Sequence, residues 1–300
     1  MASMTRTPWQ VYACSLPRIL AAIALTVTGC SLLGSHDPAP NQPAIPFTGL
    51  TQDLRIRWTA DPGVDLTTGP AVIVRAYRES YVLAGLMADS RYYYPGFERA
   101  VPRNTEGPNN AVRPPVSGDP ELSIDGIQTS TPIVGTWQEH IASLSGDMHS
   151  GYVVKLCERN YTTATRQPNG TYTYSSYWPR PKSPDFPTLY DGTVSLVIPL
   201  LPPPPTEPDP TVKPQRGTNP SPSSDVFGGW KIRTVLHMST EFYGSEPNIW
   251  PQDEFNNDRR TCADTAPDPY EKRRFYLLGE HPRGDFPTLP AEPGWPADGR

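Results

Sequence analysis

The sequence predicts an α+β domain, and three observations lead to this prediction. An amphipathic helix is indicated over residues 70–90, where apolar or aromatic side chains recur every three or four positions: Ile73, Tyr77, Tyr81, Ala84 and Met87. From residue 131 onward the pattern changes to the alternation of two that is typical of strands. This order of elements favours an antiparallel sheet with a helix on one face. With 36% hydrophobic residues and 39 prolines among 300 residues, a moderate core with long proline-rich loops is expected.

The elements follow in order along the chain. Polar and apolar residues alternate over 53–58, which indicates a first strand. The helix over 70–90 starts at Pro70, because proline is favoured at the first helical position. Residues 90–101 indicate a short second helix, and residues 102–130 are rich in turns.

About five strands are then expected to form the main sheet. They cover residues 133–144, 151–165, 171–178, 194–198 and 230–238. An Asn-Gly pair at 169–170 suits the positive φ angles of the turn between the second and third of these strands.

Two long segments show no such periodicity. The proline-rich loop 199–224 is expected to be an extended, mobile excursion from the domain 51–240, because its length exceeds that of ordinary connections. Residues 241–300 are polar and rich in turns, so an irregular C-terminal extension is predicted. The pentapeptide Asp-Phe-Pro-Thr-Leu occurs at 185–189 and again at 285–289, either as a repeated docking element or by coincidence.

The N-terminus has the pattern of an export signal. Two arginines precede an apolar run over 19–27, which is too short to cross a hydrocarbon core of about 30 Å as a helix. Residues 27–30 (VTGC) resemble the lipobox of bacterial lipoproteins. The resemblance implies a signal peptide over 1–29, a lipid on Cys30 and a location on the extracytoplasmic face of the cell membrane. An ordinary secretory signal and a buried core helix are the alternatives.

Cleavage before Cys30 would leave a proline-rich tether over residues 30–50. In an extended conformation such a tether reaches up to roughly 60 Å from the bilayer. Cleavage would also remove two arginines and no acidic residue, so the net charge would change from −5 to about −7. Because anionic lipids repel an anionic domain, the acyl chains would have to hold the protein at the membrane.

The remaining cysteines predict one disulfide. Cys14 would leave with the signal peptide and Cys30 would carry the lipid, so Cys157 and Cys262 form a single pair in an oxidising compartment. A reactive or metal-binding thiol is the alternative, but no CxxC or HxxxH spacing accompanies either cysteine.

Residues 229–232 (GWKI) carry a second resemblance. This phrase is similar to the start of the last strand of NTF2-like domains, in which a helix covers a curved antiparallel sheet. Residues 70–80 and 151–163 further resemble lipoproteins of uncharacterised function from mycobacteria and related actinobacteria. The resemblance implies a cone-shaped fold that can enclose a pocket, and an envelope location.

Two histidines on predicted strands are candidates for a site in such a pocket. A His–carboxylate pair can act as general base and acid, and the candidates are His140 and His237, with Glu139, Asp147 or Asp125 as possible partners. His237 falls on a mixed face of strand 230–238, which predicts a solvated side chain.

An aromatic cluster is the other candidate for ligand binding. Tyr92, Tyr93 and Tyr94, with Phe97, could stack on a sugar or fasten the short helix to the sheet. The basic groups at 259–260 and 272–274 alternate with acidic residues, which indicates a solvated face and no nucleic-acid partner.

Two functions fit these observations. The leading hypothesis is a lipid-anchored cell-envelope protein that acts as a non-enzymatic interaction or scaffold module with an envelope protein as partner. No catalytic residue, metal site or cofactor is assigned, because no glycine-rich phosphate loop, nucleophile elbow or metal-ligand spacing is found in the sequence. The alternative is a small-molecule binding protein or enzyme that uses the pocket of the cone, with His140 or the three tyrosines as lining residues.

Overall fold

A seven-stranded open sheet and four α-helices form the described part of the chain, which is therefore α+β. The computed structural model describes residues 46–106, 109–117, 131–175, 191–237 and 249–297, all within the unit Pro38–Arg300. The expected signal peptide, Cys30 and the tether up to residue 45 lie outside these residues. Among the helices of the described ranges, none has both the length and the apolar sequence that a bilayer crossing requires.

The longest strand, β2, organises the sheet. The strands are β1 (Asp53–Ala60), β2 (Ile133–Asp147), β3 (Gly151–Arg159), β4 (Thr163–Arg166), β5 (Tyr172–Tyr174), β6 (Thr193–Leu201) and β7 (Lys231–Ile232). On one edge, β2 pairs in parallel with β1, and on the other it pairs antiparallel with β3 and β4. The remaining pairs, β3–β6, β4–β5 and β6–β7, are antiparallel.

The sheet differs from the sequence prediction in strand number and direction. It has seven strands instead of about five, because 53–60 joins it and the strand expected over 151–165 is interrupted at residues 160–162. The β1–β2 pair is parallel, which an all-antiparallel prediction excludes. Of the strand expected over 230–238, the described part, 230–237, is regular only at Lys231–Ile232, followed by an isolated bridge between Leu236 and Val197.

Helix α1 (Gly69–Met87) agrees closely with the helix predicted over 70–90. It has no solvent face, because every residue from Ala71 to Met87 is buried. The helix itself is where it was predicted, but α1 lacks the solvent-exposed polar face that an amphipathic pattern normally indicates. Its apolar residues share one core with those of the sheet, and the proline-rich loop and the C-terminal segment cover its polar residues.

The C-terminal segment is part of the domain and is not irregular. It contains α3 (Gln252–Asp264) and α4 (Tyr270–Leu277); α2 is the short helix Phe97–Ala100. Helix α3 could not be predicted from a periodic pattern of apolar residues, because only Asp258 and Cys262 of its residues are buried. The core also extends beyond 51–240 at both ends, since Phe47 and Trp295 belong to it.

The proline-rich loop 199–224 is anchored to the domain, contrary to the expectation of a mobile excursion. The Gln215 N–H donates to the Thr67 carbonyl at 2.7 Å, and Trp230 Nε1 donates to Asp209 at 3.0 Å. Thr211, within this loop, is buried. Specific polar contacts of this kind leave no periodic trace in a sequence.

One copy of the repeated pentapeptide, 285–289, packs against the sheet. Phe286 is buried, Thr136 Oγ1 donates to the Pro287 carbonyl at 2.7 Å, and Thr288 Oγ1 donates to the Asp53 carbonyl. The copy at 185–189 lies outside the described residues.

The predicted disulfide between Cys157 and Cys262 is confirmed. It joins β3 to α3 across 105 residues, on the sheet face opposite to α1. Lys155 and Asp258 form an ion pair at 2.8 Å beside it, so α3 is fixed to β3 by a covalent bond and a charge pair.

We expect removal of this bond to destabilise the domain. Cys157→Ala/Cys262→Ala should lower the free energy of unfolding by about 2–5 kcal/mol, because the unfolded chain loses a long-range constraint. Urea unfolding with and without reductant measures the effect, and the double variant, which has no bond to lose, should be insensitive to reductant. Two free thiols in the untreated protein would contradict the prediction.

Candidate functional site

Charged side chains of α1 meet carboxylates of the sheet in the protein interior. Arg75, Arg78 and Glu79 point from α1 into buried positions. On the facing side of the sheet, the strand register places Trp58 beside Glu139 and Glu139 beside Glu158. Buried charged side chains of α1 and of the sheet therefore lie close together in the interior between them.

Glu79 accepts hydrogen bonds from three aromatic side chains. Trp58 Nε1 donates to its Oε1 at 2.8 Å, while the Tyr94 hydroxyl and Trp295 Nε1 donate to its Oε2 at 2.9 and 2.7 Å. Burial raises the pKa of Glu79 to about 7, and the nearby Arg75 and the three donors oppose this rise. One carboxylate thus joins residues that are far apart in the sequence.

Arg75 connects α1 to the loop and to the C-terminal segment. Its guanidinium donates to the carbonyls of Leu66, Gln215 and Pro293 at 2.8–3.0 Å. It also lies over the indole of Trp295, 4.2 Å from the ring centroid, in a cation–π arrangement. A buried cation held by neutral carbonyls and an aromatic ring serves to fix these segments on the helix.

Arg78 is shared by two buried glutamates. Its Nε lies 3.4 Å from Glu139 Oε1, and its Nη2 forms an ion pair with Glu158 Oε2. Trp137 Nε1 and Asn160 Nδ2 each donate to one of these carboxylates at 3.2 Å. The second oxygen of Glu139, Oε2, is buried and has no hydrogen-bond partner among the described residues.

Burial raises the pKa of Glu139 to about 8, with Arg78 opposing the rise and Glu158 adding to it. One guanidinium cannot compensate two buried carboxylates fully, so the group with the unpartnered oxygen is the one that takes up a proton. The cluster can therefore store a proton near neutral pH inside the fold.

The remaining space between α1 and the sheet is filled with large side chains. Tyr77, Phe97, Trp137 and Trp230 are all fully buried in the core that contains α1. The Tyr77 hydroxyl is also engaged, since it donates to the Val112 carbonyl at 2.6 Å. The interior is thus occupied by the protein's own aromatic rings.

His140 lies on the opposite face of the sheet, with partners that differ from the predicted ones. Its Nδ1 is 2.8 Å from the Thr59 hydroxyl, and its Nε2 is 3.3 Å from Asp61 Oδ1. Burial lowers the pKa of His140, and the nearby Arg159 lowers it further. The parallel register that pairs Thr59 with His140 could not be foreseen from an antiparallel prediction.

The three candidate carboxylates for His140 are not brought to it. Glu139 belongs to the α1 face, and Asp147 lies at the far end of β2, where it accepts the backbone N–H groups of His149 and Ser150. Asp125 lies outside the described residues. The prediction of a His140 pair with Glu139 or Asp147 is therefore wrong.

His237 is half-buried instead of solvated. Its backbone N–H donates to Asn109 Oδ1 at 2.9 Å, and burial lowers its pKa. The alternation that predicted a solvated face stops at Val235, which is buried like both of its neighbours. The segment around Asn109 covers this part of the strand.

The tyrosine cluster packs the domain and does not form an exposed platform for a sugar. Tyr94 is buried with its hydroxyl on Glu79, and Tyr93 stacks on Phe97 with ring centroids 4.1 Å apart. Tyr92 is half-buried against the same core. The alternative in which these rings fasten the short helix agrees with this arrangement, whereas stacking on a ligand does not.

A surface pocket of about 390 Å³ is present at the proline-rich loop. Its lining consists of Asp209, Pro210, Val212, Lys213, Gln215, Pro222, Ser223, Ser224, Val226 and Pro296. None of the predicted site residues lines it. Within the described ranges, no group of three or more His, Cys, Asp or Glu side chains is arranged to hold a metal ion.

Comparisons of the chain with protein-family models, curated proteins and solved structures gave no match.

We expect Trp295→Phe to destabilise the domain by about 1–3 kcal/mol, because Glu79 loses a buried donor. Chemical unfolding measures this change. A double-mutant cycle with Glu79→Gln provides the control, since contacting residues give effects that are not additive. Additive effects of the two substitutions would contradict the contact between Trp295 and Glu79.

We also expect the contribution of Glu139 to stability to fall as the pH rises from about 5 to 8. Because the pKa of Glu139 is raised on folding, the native state holds a proton that the unfolded chain has lost in this range. Each such proton lowers the free energy of unfolding by about 1.4 kcal/mol per pH unit. In Glu139→Gln the pH dependence measured by urea unfolding should be flatter, whereas the exposed control Glu254→Gln should keep the wild-type slope. A wild-type slope in Glu139→Gln would contradict the assignment.

Proposed function

We propose that this chain is a lipid-anchored protein of the bacterial cell envelope that acts as a non-enzymatic interaction or scaffold module. The disulfide between Cys157 and Cys262 is the observation that carries the proposal. Disulfides persist in oxidising compartments, so the bond favours an exported protein. It also uses both cysteines of the domain, which leaves Cys30, the last of the lipobox-like residues 27–30, available for a lipid.

The filled interior supports a non-enzymatic role. Ligand sites are concave and retain room for a substrate. Between α1 and the sheet, that room is taken by buried aromatic rings and by the charged cluster of Arg78, Glu139 and Glu158. A domain with such an interior presents its outer surface to a partner.

An NTF2-like relationship is part of the same proposal. A long helix against a mainly antiparallel sheet, with the phrase Gly-Trp-Lys-Ile entering β7, supports it. The parallel β1–β2 pair and the helical C-terminal segment are additions to the expected arrangement.

The alternative function, a small-molecule binding protein or enzyme, would depend on His140. The Thr59 hydroxyl lies 2.8 Å from Nδ1 of the imidazole and Asp61 Oδ1 lies 3.3 Å from Nε2, so a hydroxyl and a carboxylate are near the two ring nitrogens of a candidate general base. His140 lies on the sheet face opposite to the interior that the alternative would use as its pocket, and that interior is filled. These observations favour the scaffold function.

Membrane attachment should depend on Cys30 alone. In bacteria fed an alkynyl fatty acid, the wild-type protein should be found in the membrane fraction and carry the label. Cys30→Ala should leave the membrane fraction and lose the label, because the thiol that would take the lipid is replaced, whereas the control Cys14→Ala should behave like the wild type. Labelled, membrane-bound Cys30→Ala would refute the lipoprotein proposal.

A further inference from the structure

A second surface pocket lies between α3 and the start of β6, and two arginines line it. Its volume is about 340 Å³, at the lower end of the range of roughly 300–1,000 Å³ for small-molecule sites. The lining residues are Asp191, Thr193, Asn256, Arg259, Arg260 and Ala263. Arg259 and Arg260 are consecutive on α3, and both are exposed.

The positive charge of this pocket is not compensated within the described chain. Neither Arg259 nor Arg260 has a carboxylate within 4 Å among the described residues, although Asp264 follows Arg260 by one helical turn. Two neighbouring acids are engaged elsewhere, since Asp258 pairs with Lys155 at 2.8 Å and Asp268 pairs with Lys272 at 2.6 Å. On a chain with a net charge of −5, this pocket is thus lined by two arginines that have no carboxylate partner among the described residues.

The one carboxylate in the pocket is already satisfied. Asp191 Oδ1 accepts the backbone N–H and the hydroxyl of Thr193 at 3.0 and 2.8 Å. Its Oδ2 lies 3.2 Å from Arg273 Nη2, and Arg273 is itself buried. Because Arg273 neutralises Asp191, the lining keeps the charge of Arg259 and Arg260.

The wall that carries the arginines is rigid. The disulfide at Cys262 and the ion pair between Asp258 and Lys155 hold α3 against β3 on both sides of the two arginines in the sequence. Arg159 fixes the end of the helix by donating to the Thr265 carbonyl at 2.8 Å. Arg259 is further positioned by Phe255, whose ring lies beneath its guanidinium at 5.6 Å. Groups that are held in place before binding lose little entropy when a ligand arrives.

The geometry points to a binding site for a phosphate group in this pocket, with Arg259 and Arg260 as its cationic ligands. Guanidinium forks match the paired oxygens of phosphate, and the Asn256 amide adds a further donor. The volume leaves room for a small organic portion, as in a sugar phosphate or a phospholipid headgroup. This inference does not depend on acylation at Cys30 or on the scaffold role.

The test uses the full chain with Cys30→Ala, which cannot be acylated at that position. Titration calorimetry with inorganic phosphate and with glucose 6-phosphate should show saturable binding. Arg259→Gln/Arg260→Gln should weaken it at least about tenfold, the loss expected when charged hydrogen bonds are removed. The matched control is Arg233→Gln, which removes one exposed arginine that lines neither pocket.

A parallel measurement distinguishes the source of the phosphate. Sedimentation with phosphatidylglycerol vesicles and with phosphatidylcholine vesicles tests headgroup binding, with the same variants. If the protein binds vesicles but neither soluble phosphate, and the double arginine variant loses this binding, the site is supported and its ligand is a lipid headgroup. The inference is overturned if no probe binds, or if Arg233→Gln weakens binding as much as the double variant, which would indicate non-specific attraction. Because Arg259 and Arg260 are exposed, circular dichroism should show the variants to be folded.

Discussion

The burial of a charged helix is the constraint on which the rest of this structure depends. Helix α1 carries Arg75, Arg78 and Glu79 into the interior, and each buried charge must find a partner there because desolvation is costly. The partners come from the sheet, the proline-rich loop and the C-terminal segment. Leaving one such charge without its partner costs about 3–5 kcal/mol, comparable to much of the stability of a domain. The polar contacts of α1 therefore determine which distant segments belong to the domain.

Regular periodicity made part of this fold predictable. The helix over 70–90 and the strands corresponding to β2, β3 and β6 follow from local patterns of apolar residues. The pairing of Cys157 with Cys262 follows from counting cysteines once two are assigned to the N-terminus. The segments that the prediction left irregular are held by isolated polar contacts, by the disulfide and by single buried aromatic residues such as Phe286 and Trp295. Neither the anchoring of Gln215 to Thr67 nor the helix around Cys262 leaves a repeating signal.

The candidate site was less predictable, for reasons of register and burial. The sequence indicates His140 and the three tyrosines as candidate site residues. The partners of His140, however, depend on the parallel pairing of β1 with β2, which no local sequence pattern encodes. Glu79 was not identified, because a glutamate in a helical sequence normally indicates an exposed position. The lipobox remains a prediction that depends on the sequence motif at residues 27–30 alone.

The bonds to Glu79 also determine when the interior can be completed. Trp58 and Trp295 donate to the same carboxylate, and Trp295 follows Glu79 by 216 residues. Contacts that are so distant in sequence form late, because a very long loop must close first. A chain emerging from the ribosome therefore cannot acquire its native core until residue 295 has been synthesised.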